Sequence, residues 1–297
     1  MFVNVKNIVK KYGNQFALND VSFSLKKGEV VGFLGPNGAG KSSMMKIITG
    51  FMEATSGEVF IDEVKMTSTT TEIKKQIGYL PEHNPLYLEM YVREYLLFLA
   101  NIHKLTKKDV EKAIEDVGLK PEAAKKIKQL SKGYRQRVGL AAAIMHNPSV
   151  LILDEPTTGL DPNQLVEIRS LIKQLSKDKV VLLSTHIMQE VEALCDRVII
   201  INKGEVVADE SLLVLTEQQV QLLEVEFDRP ISMEEIHQLK YLKEANNFSE
   251  FSWVLTFDTS LDMRASVFDF AHDKGFKILQ LTSKDKSLES LFSALTT

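Results

Sequence analysis

Residues Gly35-Pro36-Asn37-Gly38-Ala39-Gly40-Lys41-Ser42 fit the pattern G-x-x-x-x-G-K-[ST], with Ser43 next in the chain. The three glycines let successive backbone N–H groups turn inward around phosphate oxygens, where a β-carbon would obstruct them. A helix opening near Lys41 aims its positive N-terminal end at the same point. The Lys41 ammonium would add a charge beside the β- and γ-phosphates, and the Ser42 hydroxyl can ligate Mg²⁺. The alternative is a Gly-rich turn with a surface lysine. At ordinary residue usage a chance match in a chain this long is on the order of 1%, which favours the phosphate cradle.

A second constellation is Val150-Leu151-Ile152-Leu153-Asp154-Glu155-Pro156. Four apolar residues read as a buried parallel strand, and ligands gather at the carboxyl ends of such strands. Asp154 is placed to hold Mg²⁺ through its water shell. Glu155, next to it, is placed to polarise an attacking water as general base. Alone, the pair reads equally well as solvated acids at a strand exit. Beside a phosphate loop, an acid-ended apolar strand is what a nucleoside triphosphatase requires.

The elements that must carry these residues alternate. Val21, Phe23 and Leu25 alternate with polar residues, as in a half-buried strand. Residues 29–34 are an apolar run that stops at the Gly-rich loop, and 41–51 reads as a helix. Further strands are expected at 76–80, 149–153, 180–184 and 197–202, with helices at 163–177 and 187–195. This is the pattern of a mostly parallel sheet with helices on both faces. Residues 87–146 contain no strand pattern and at least three helical ones, with an apolar stripe at Tyr91, Tyr95, Phe98 and Leu99. They read as a helical subdomain inserted into an α/β core, or simply as a long helical crossover.

The chain has 297 residues, enough for two domains. Residues 1–218 hold 28 Lys and Arg against 27 Asp and Glu; residues 219–297 hold 8 against 13, a net of −5. A boundary is therefore expected near residue 218, with 219–297 as a small accessory domain. Its pattern runs strand (220–227), helix (232–239), weak strand (241–246), strand (251–257), helix (262–274), strand (276–281) and final helix (287–295). That is a small α+β ferredoxin-like layout. The overall charge of −4 excludes a nucleic-acid binder that works by general basicity. The single cysteine, Cys195, excludes an internal disulfide and suits a reducing compartment. No window reaches the roughly 18 apolar residues of a membrane span, and the N-terminal ten residues show no signal-peptide core.

A third motif carries a family resemblance. Leu130-Ser131-Lys132-Gly133-Tyr134-Arg135-Gln136-Arg137 places Ser131 23 residues before Asp154. It resembles the L-S-G-G-Q signature of ATP-binding-cassette (ABC) ATPases at Leu130, Ser131 and Gly133; Lys132 and Tyr134 depart from it. Ser131 and the Gly133 backbone can donate to a γ-phosphate from a helix N-terminus. Ser131 also reads as the N-cap of a helix over 134–146. The other family motifs follow in order across residues 1–218. Tyr12 matches the aromatic that stacks on adenine, although alone it reads as a core or turn tyrosine. Gly159-Leu160-Asp161-Pro162 matches the loop that crosses to a partner subunit, with Asp161 in it. In Ser184-Thr185-His186, His186 stands 31 residues after Glu155 and matches the histidine that senses the γ-phosphate. Where the family carries glutamine this chain has Glu82, which keeps an oxygen for Mg²⁺ or water but adds charge and loses a donor.

The resemblance implies an α/β P-loop NTPase of the ABC cassette type: a RecA-like core, an antiparallel β part and a helical subdomain. It implies ATP and Mg²⁺ as cofactors. It also implies a dimer in the ATP-bound state, with itself or with a second cassette, because Ser131 and Gly133 would face the ATP of the other subunit. Export would be driven through separate transmembrane permease subunits, placing the chain in the cytoplasm on the inner face of the cell membrane. The expected docking region is near 82–93, where Leu86, Tyr87 and Leu88 equally fit plain helix packing. Residues 78–87, 90–95 and 130–139, with the added C-terminal domain, are similar to the ATP-binding subunit of the gliding-motility-associated ABC transporter, within the multidrug, antibiotic and polysaccharide exporter group. Two other readings stand beside this one. One is a soluble ABC ATPase acting on DNA or ribosomes; the other is an ATP-binding assembly scaffold with little turnover.

Overall fold

The computed structural model describes residues 2–67, 69–212, 220–259, 261–284 and 292. These fall into two compact units that divide between Leu212 and Leu213. The boundary expected near residue 218 and the helix expected at 287–295 lie outside the described residues.

In the first unit, β1 (Val3–Tyr12) and β2 (Gln15–Leu25) pair antiparallel. The apolar run gives β3 (Val30–Leu34), every residue of it buried. After the Gly-rich loop comes α1 (Lys41–Ile48), three residues shorter than expected. Gly50 takes φ 65°, a left-handed conformation that ends the helix. Then follow β4 (Ser56–Ile61), β5 (Val64–Lys65), α2 (Thr71–Lys74) and β6 (Ile77–Leu80). Next come α3 (Val92–Ile102), α4 (Lys107–Asp116) and α5 (Lys132–Ile144), the helical stretch read from residues 87–146. The chain returns to the sheet with β7 (Val150–Asp154), α6 (Pro162–Ser176), β8 (Val180–Thr185), α7 (Met188–Leu194), β9 (Arg197–Asn202) and β10 (Glu205–Ser211).

Two sheets result. One has the order β2-β1-β4-β5 and is antiparallel. The other has the order β10-β9-β3-β8-β7-β6; all its pairs are parallel except β10 with β9 at the edge. Successive side chains of a strand point to opposite faces, and β3 shows both faces covered. Val31 and Phe33 cluster with Met44 and Met45 of α1. At Gly32 an added Cβ would meet Cys195 and Val191, from α7 and its end. Continuous apolar strands therefore sit at the centre, and their carboxyl ends present β3, β7 and β8 side by side.

The second unit holds β11 (Val220–Phe227), α8 (Met233–Ile236), β12 (Leu242–Ser249), β13 (Ser252–Asp258), α9 (Arg264–Asp273) and β14 (Ile278–Lys284). Its sheet runs β12-β13-β11-β14, all antiparallel. Leu223, Val225, Phe227, Trp253, Leu255 and Phe257 form its core with Ile236 and Val267 of the helices. The helix expected over 232–239 is a single turn, α8.

Candidate active site

The Gly-rich loop joins the carboxyl end of β3 to α1. Gly40 caps α1 at φ 109°, and a Cβ there would lie 2.4 Å from the Ala17 carbonyl oxygen. A Cβ at Gly35 would lie 2.4 Å from the Ile201 carbonyl oxygen. Glycine is thus required at both ends of the loop by close backbone approach, and at Gly40 also by conformation. Lys41 is buried and its Nζ donates to the Gly35 carbonyl at 2.6 Å and the Pro36 carbonyl at 3.1 Å. Burial pulls its pKa below the usual lysine value, while the charges of Glu155, Asp154 and Glu82 work in the opposite direction.

β7 delivers the two acids. Asp154 is buried at its end, and Ser184 Oγ, on the neighbouring β8, donates to Asp154 Oδ1. Glu155 turns out of the strand at φ 50°. Its carboxylate is held from both sides: His186 Nδ1 lies 2.8 Å from Oε1, and Thr158 Oγ1 donates to Oε2 at 3.2 Å. Gln136 of α5 reaches the Glu155 carbonyl at 3.5 Å. The Glu155 side chain is 9% exposed and that of His186 53%, so the histidine forms the solvent side of the pair.

These groups meet in one cleft of about 480 Å³, lined among others by Lys41, Ser42, Ser43, Glu82, Asp154 and Glu155. Asn37, Gly38, Gly40 and His186 complete the expected part of its wall, and Ala17 from β2 and Thr158 are additions. Gly35, Pro36 and Ala39 of the loop itself do not line it, and neither do four further residues assigned from sequence. Tyr12 is 51% exposed at the end of β1, its hydroxyl 3.1 Å from Met52 Sδ. Ser131 caps α5, its Oγ accepting from Tyr134 N–H at 3.3 Å. Gly133 lies under the Gln164 side chain, where a Cβ would be 2.0 Å from Oε1. Asp161 caps α6, its Oδ1 accepting from Gln164 N–H at 2.9 Å. The last three therefore form a second cluster, at the N-termini of α5 and α6. Ser184, Thr158 and Gln136 were not singled out from sequence for contact with the acids.

Among the described residues no group of three or more His, Cys, Asp or Glu could hold a metal. Mg²⁺ does not need such a cage, since it takes one or two carboxylates together with substrate phosphates. Ser42, Asp154 and Glu82 supply hard oxygens on one cleft wall beside the glycine cradle, and this donor set fits it.

A second groove of about 600 Å³ runs between the sheet and α3 and α5, lined by Pro81, Glu82, Pro85, Tyr95, Leu99 and His103 among others. Glu82 and Asp154 border both cavities. The Tyr79 hydroxyl and His146 Nδ1 in its wall are buried and without a hydrogen-bond partner in the structure. Burial, with the charges of Asp154 and Glu82, pushes the Tyr79 hydroxyl up to about 12. His146 stacks on His103 at 4.5 Å between ring centroids.

A family model described as ABC transporter matches residues 18–158. The linearmycin resistance ATP-binding protein of Bacillus subtilis is 40% identical over 211 residues, covering 69% of this chain and 68% of that protein. The bacitracin transport ATP-binding protein of Bacillus licheniformis is 31% identical over 310 residues, covering 99% of this chain and 96% of that protein. A solved dimeric bacterial ABC transporter cassette superposes with a TM-score of 0.65 at 32% identity, covering 71% of this chain and 98% of that one.

Proposed function

This chain belongs to the ATP-binding subunits of ABC transporters, and on that premise we propose how its residues divide the work of hydrolysing ATP. The observation that carries the reading is the Glu155 carboxylate, gripped by His186 and Thr158 on the wall of the glycine cradle's cleft. The loop N–H groups and Lys41 bind the phosphates, and Lys41 exchanges the Gly35 and Pro36 carbonyls for phosphate oxygens. Ser42 and Asp154 would hold Mg²⁺, with Glu82 beside them; the ion neutralises charge on the transferring phosphoryl group. Glu155 takes the proton of the attacking water. A carboxylate has about four acceptor sites, so its bonds to His186 and Thr158 leave room for that water. A general base of this kind contributes roughly 10²–10⁴ in rate.

Ser131, Gly133 and Asp161 stand apart from the cleft, at the N-termini of α5 and α6. This separation supports the reading that they serve the ATP of a second cassette. The working form is then a dimer with ATP bound between subunits; the solved cassette reported above is dimeric, which favours it. ATP stabilises the closed dimer to the extent that its γ-phosphate is bound from both sides, and hydrolysis releases it. Tyr12 would contribute the adenine contact from β1.

Among the described residues no helix is long and apolar enough to cross a membrane. The mechanical output is therefore proposed to pass to separate membrane subunits docking in the groove beside Glu82, which places the chain peripherally at the inner face of the membrane. The unpartnered Tyr79 hydroxyl and His146 Nδ1 favour an occupant that brings polar groups. The names of the two bacterial relatives, linearmycin resistance and bacitracin transport, favour export of an antibiotic-like compound. The narrower assignment to a gliding-motility system rests on residues 78–87, 90–95 and 130–139 together with the added C-terminal unit.

The test is affinity purification of the chain from solubilised membranes, with phosphate release measured on the product. A polytopic membrane protein and ATP-dependent phosphate release are expected. Ribosomes or DNA recovered without a membrane protein would replace the transport reading. Binding of ATP with no release would leave only a scaffold.

A further inference from the structure

Ser184 is fully buried in β8 and pairs in register with Asp154 of β7. Its hydroxyl makes two bonds to the catalytic strand end. It donates to Asp154 Oδ1 and accepts from the Glu155 backbone N–H at 3.1 Å. The Ser184 carbonyl accepts from the same N–H at 3.2 Å. A hydroxyl has one proton and two lone pairs, so both bonds form together. Its neighbours Val180, Val181, Leu182 and Leu183 are apolar and buried. A hydroxyl in that setting is costly unless it is hydrogen-bonded, and packing alone would accept an apolar residue.

Glu155 is also held at φ 50°, a conformation that an L-residue keeps only when its surroundings impose it. The pair of bonds to its N–H anchors the amide at which that conformation starts. We propose that Ser184 is a positioning residue for ATP hydrolysis: one hydroxyl sets the rotation of the Asp154 carboxylate and locks the backbone from which Glu155 is aimed. The inference rests on the proposed roles of Asp154 and Glu155. It adds a fully buried residue bonded to both of them. Asp154 and Glu155 are thereby geared to each other, so that disturbing Ser184 moves the metal-side acid and the base together.

The test compares Ser184→Thr with Ser184→Val, which match in volume and differ by the hydroxyl. The valine variant is expected to turn over ATP at least tenfold more slowly than the threonine variant, with KM for ATP within twofold. Ser184→Ala is expected to fall at least tenfold below the parent, and carries the comparison if the added methyl group unfolds both other variants. A second readout needs no turnover. In a Glu155→Gln background, the Mg²⁺ concentration that half-saturates binding of a fluorescent ATP analogue should be severalfold higher with valine than with threonine. Equal kcat within twofold for threonine and valine, or for alanine and parent, overturns the proposal. Failure of the underlying reading is separable: Glu155→Gln alone would then hydrolyse ATP like the parent.

Discussion

Glu155 is the residue on which the proposed chemistry turns. Its carboxylate is nearly buried, bonded to a histidine and a threonine, and set on a backbone that only precise support maintains. Glu155→Gln keeps the shape and removes the base. It is expected to lower kcat by roughly 10²–10⁴ with ATP affinity within a few fold, measured by phosphate release and fluorescent-nucleotide titration. Glu82 is a milder case, at the border of cleft and groove, where glutamine is the family pattern. Glu82→Gln is expected to change turnover by less than tenfold; a larger rise would identify the acid as a brake. Gly40→Ala would place a Cβ 2.4 Å from the Ala17 carbonyl at φ 109°. The left-handed conformation alone costs an L-residue about 1–2 kcal/mol. Nucleotide titration should show affinity reduced more than tenfold.

Elements explain what could be read in advance. The glycine loop, the acid strand and the His186 strand end are contiguous in sequence, and their spacing is visible in the chain itself. Ser184 and Thr158 do not stand out in sequence as partners of the acids, because their bonds depend on strand register and turn geometry, which no local pattern encodes. β1 was not singled out because Lys6, Lys10 and Lys11 interrupt its apolar residues on a half-open sheet. β12 read weakly because six of its eight residues are exposed at a sheet edge. Tyr12 was placed by motif order, and nothing local told that its ring would be half exposed. The contact of His146, just past α5, with the Ile77 carbonyl of β6 carries a pH signature. Burial lowers the pKa of both His146 and His103 below the usual histidine value. The unfolded chain then binds their protons more readily, so stability is full above about pH 6.5 and is lost as pH falls through the lower folded values. Thermal midpoints at pH 7.5 and 5.5 should show a smaller loss for His146→Gln than for the parent. An equal loss would remove His146 from this role.

At the scale of the molecule, a cleft complete in its phosphate loop and acids coexists with a second cluster, Ser131, Gly133 and Asp161, that lies elsewhere on the chain. On the proposed reading, one chain offers two halves of a site that do not meet within it. The acidic unit from 219 onward is proposed to regulate the cassette or to join its dimer contact. Removing residues 219–297 should leave nucleotide binding within about threefold, since every cleft residue precedes it, and should alter ATPase rate or dimer yield; if both stayed unchanged, the regulatory reading would be dropped. The most direct measurement is light scattering on Glu155→Gln eluting from gel filtration with saturating ATP and Mg²⁺. Two copies of the 33.5 kDa chain sandwiching ATP predict a particle of twice that mass, reverting to one copy when ATP is withdrawn. A single 33.5 kDa species at saturating ATP would contradict the account.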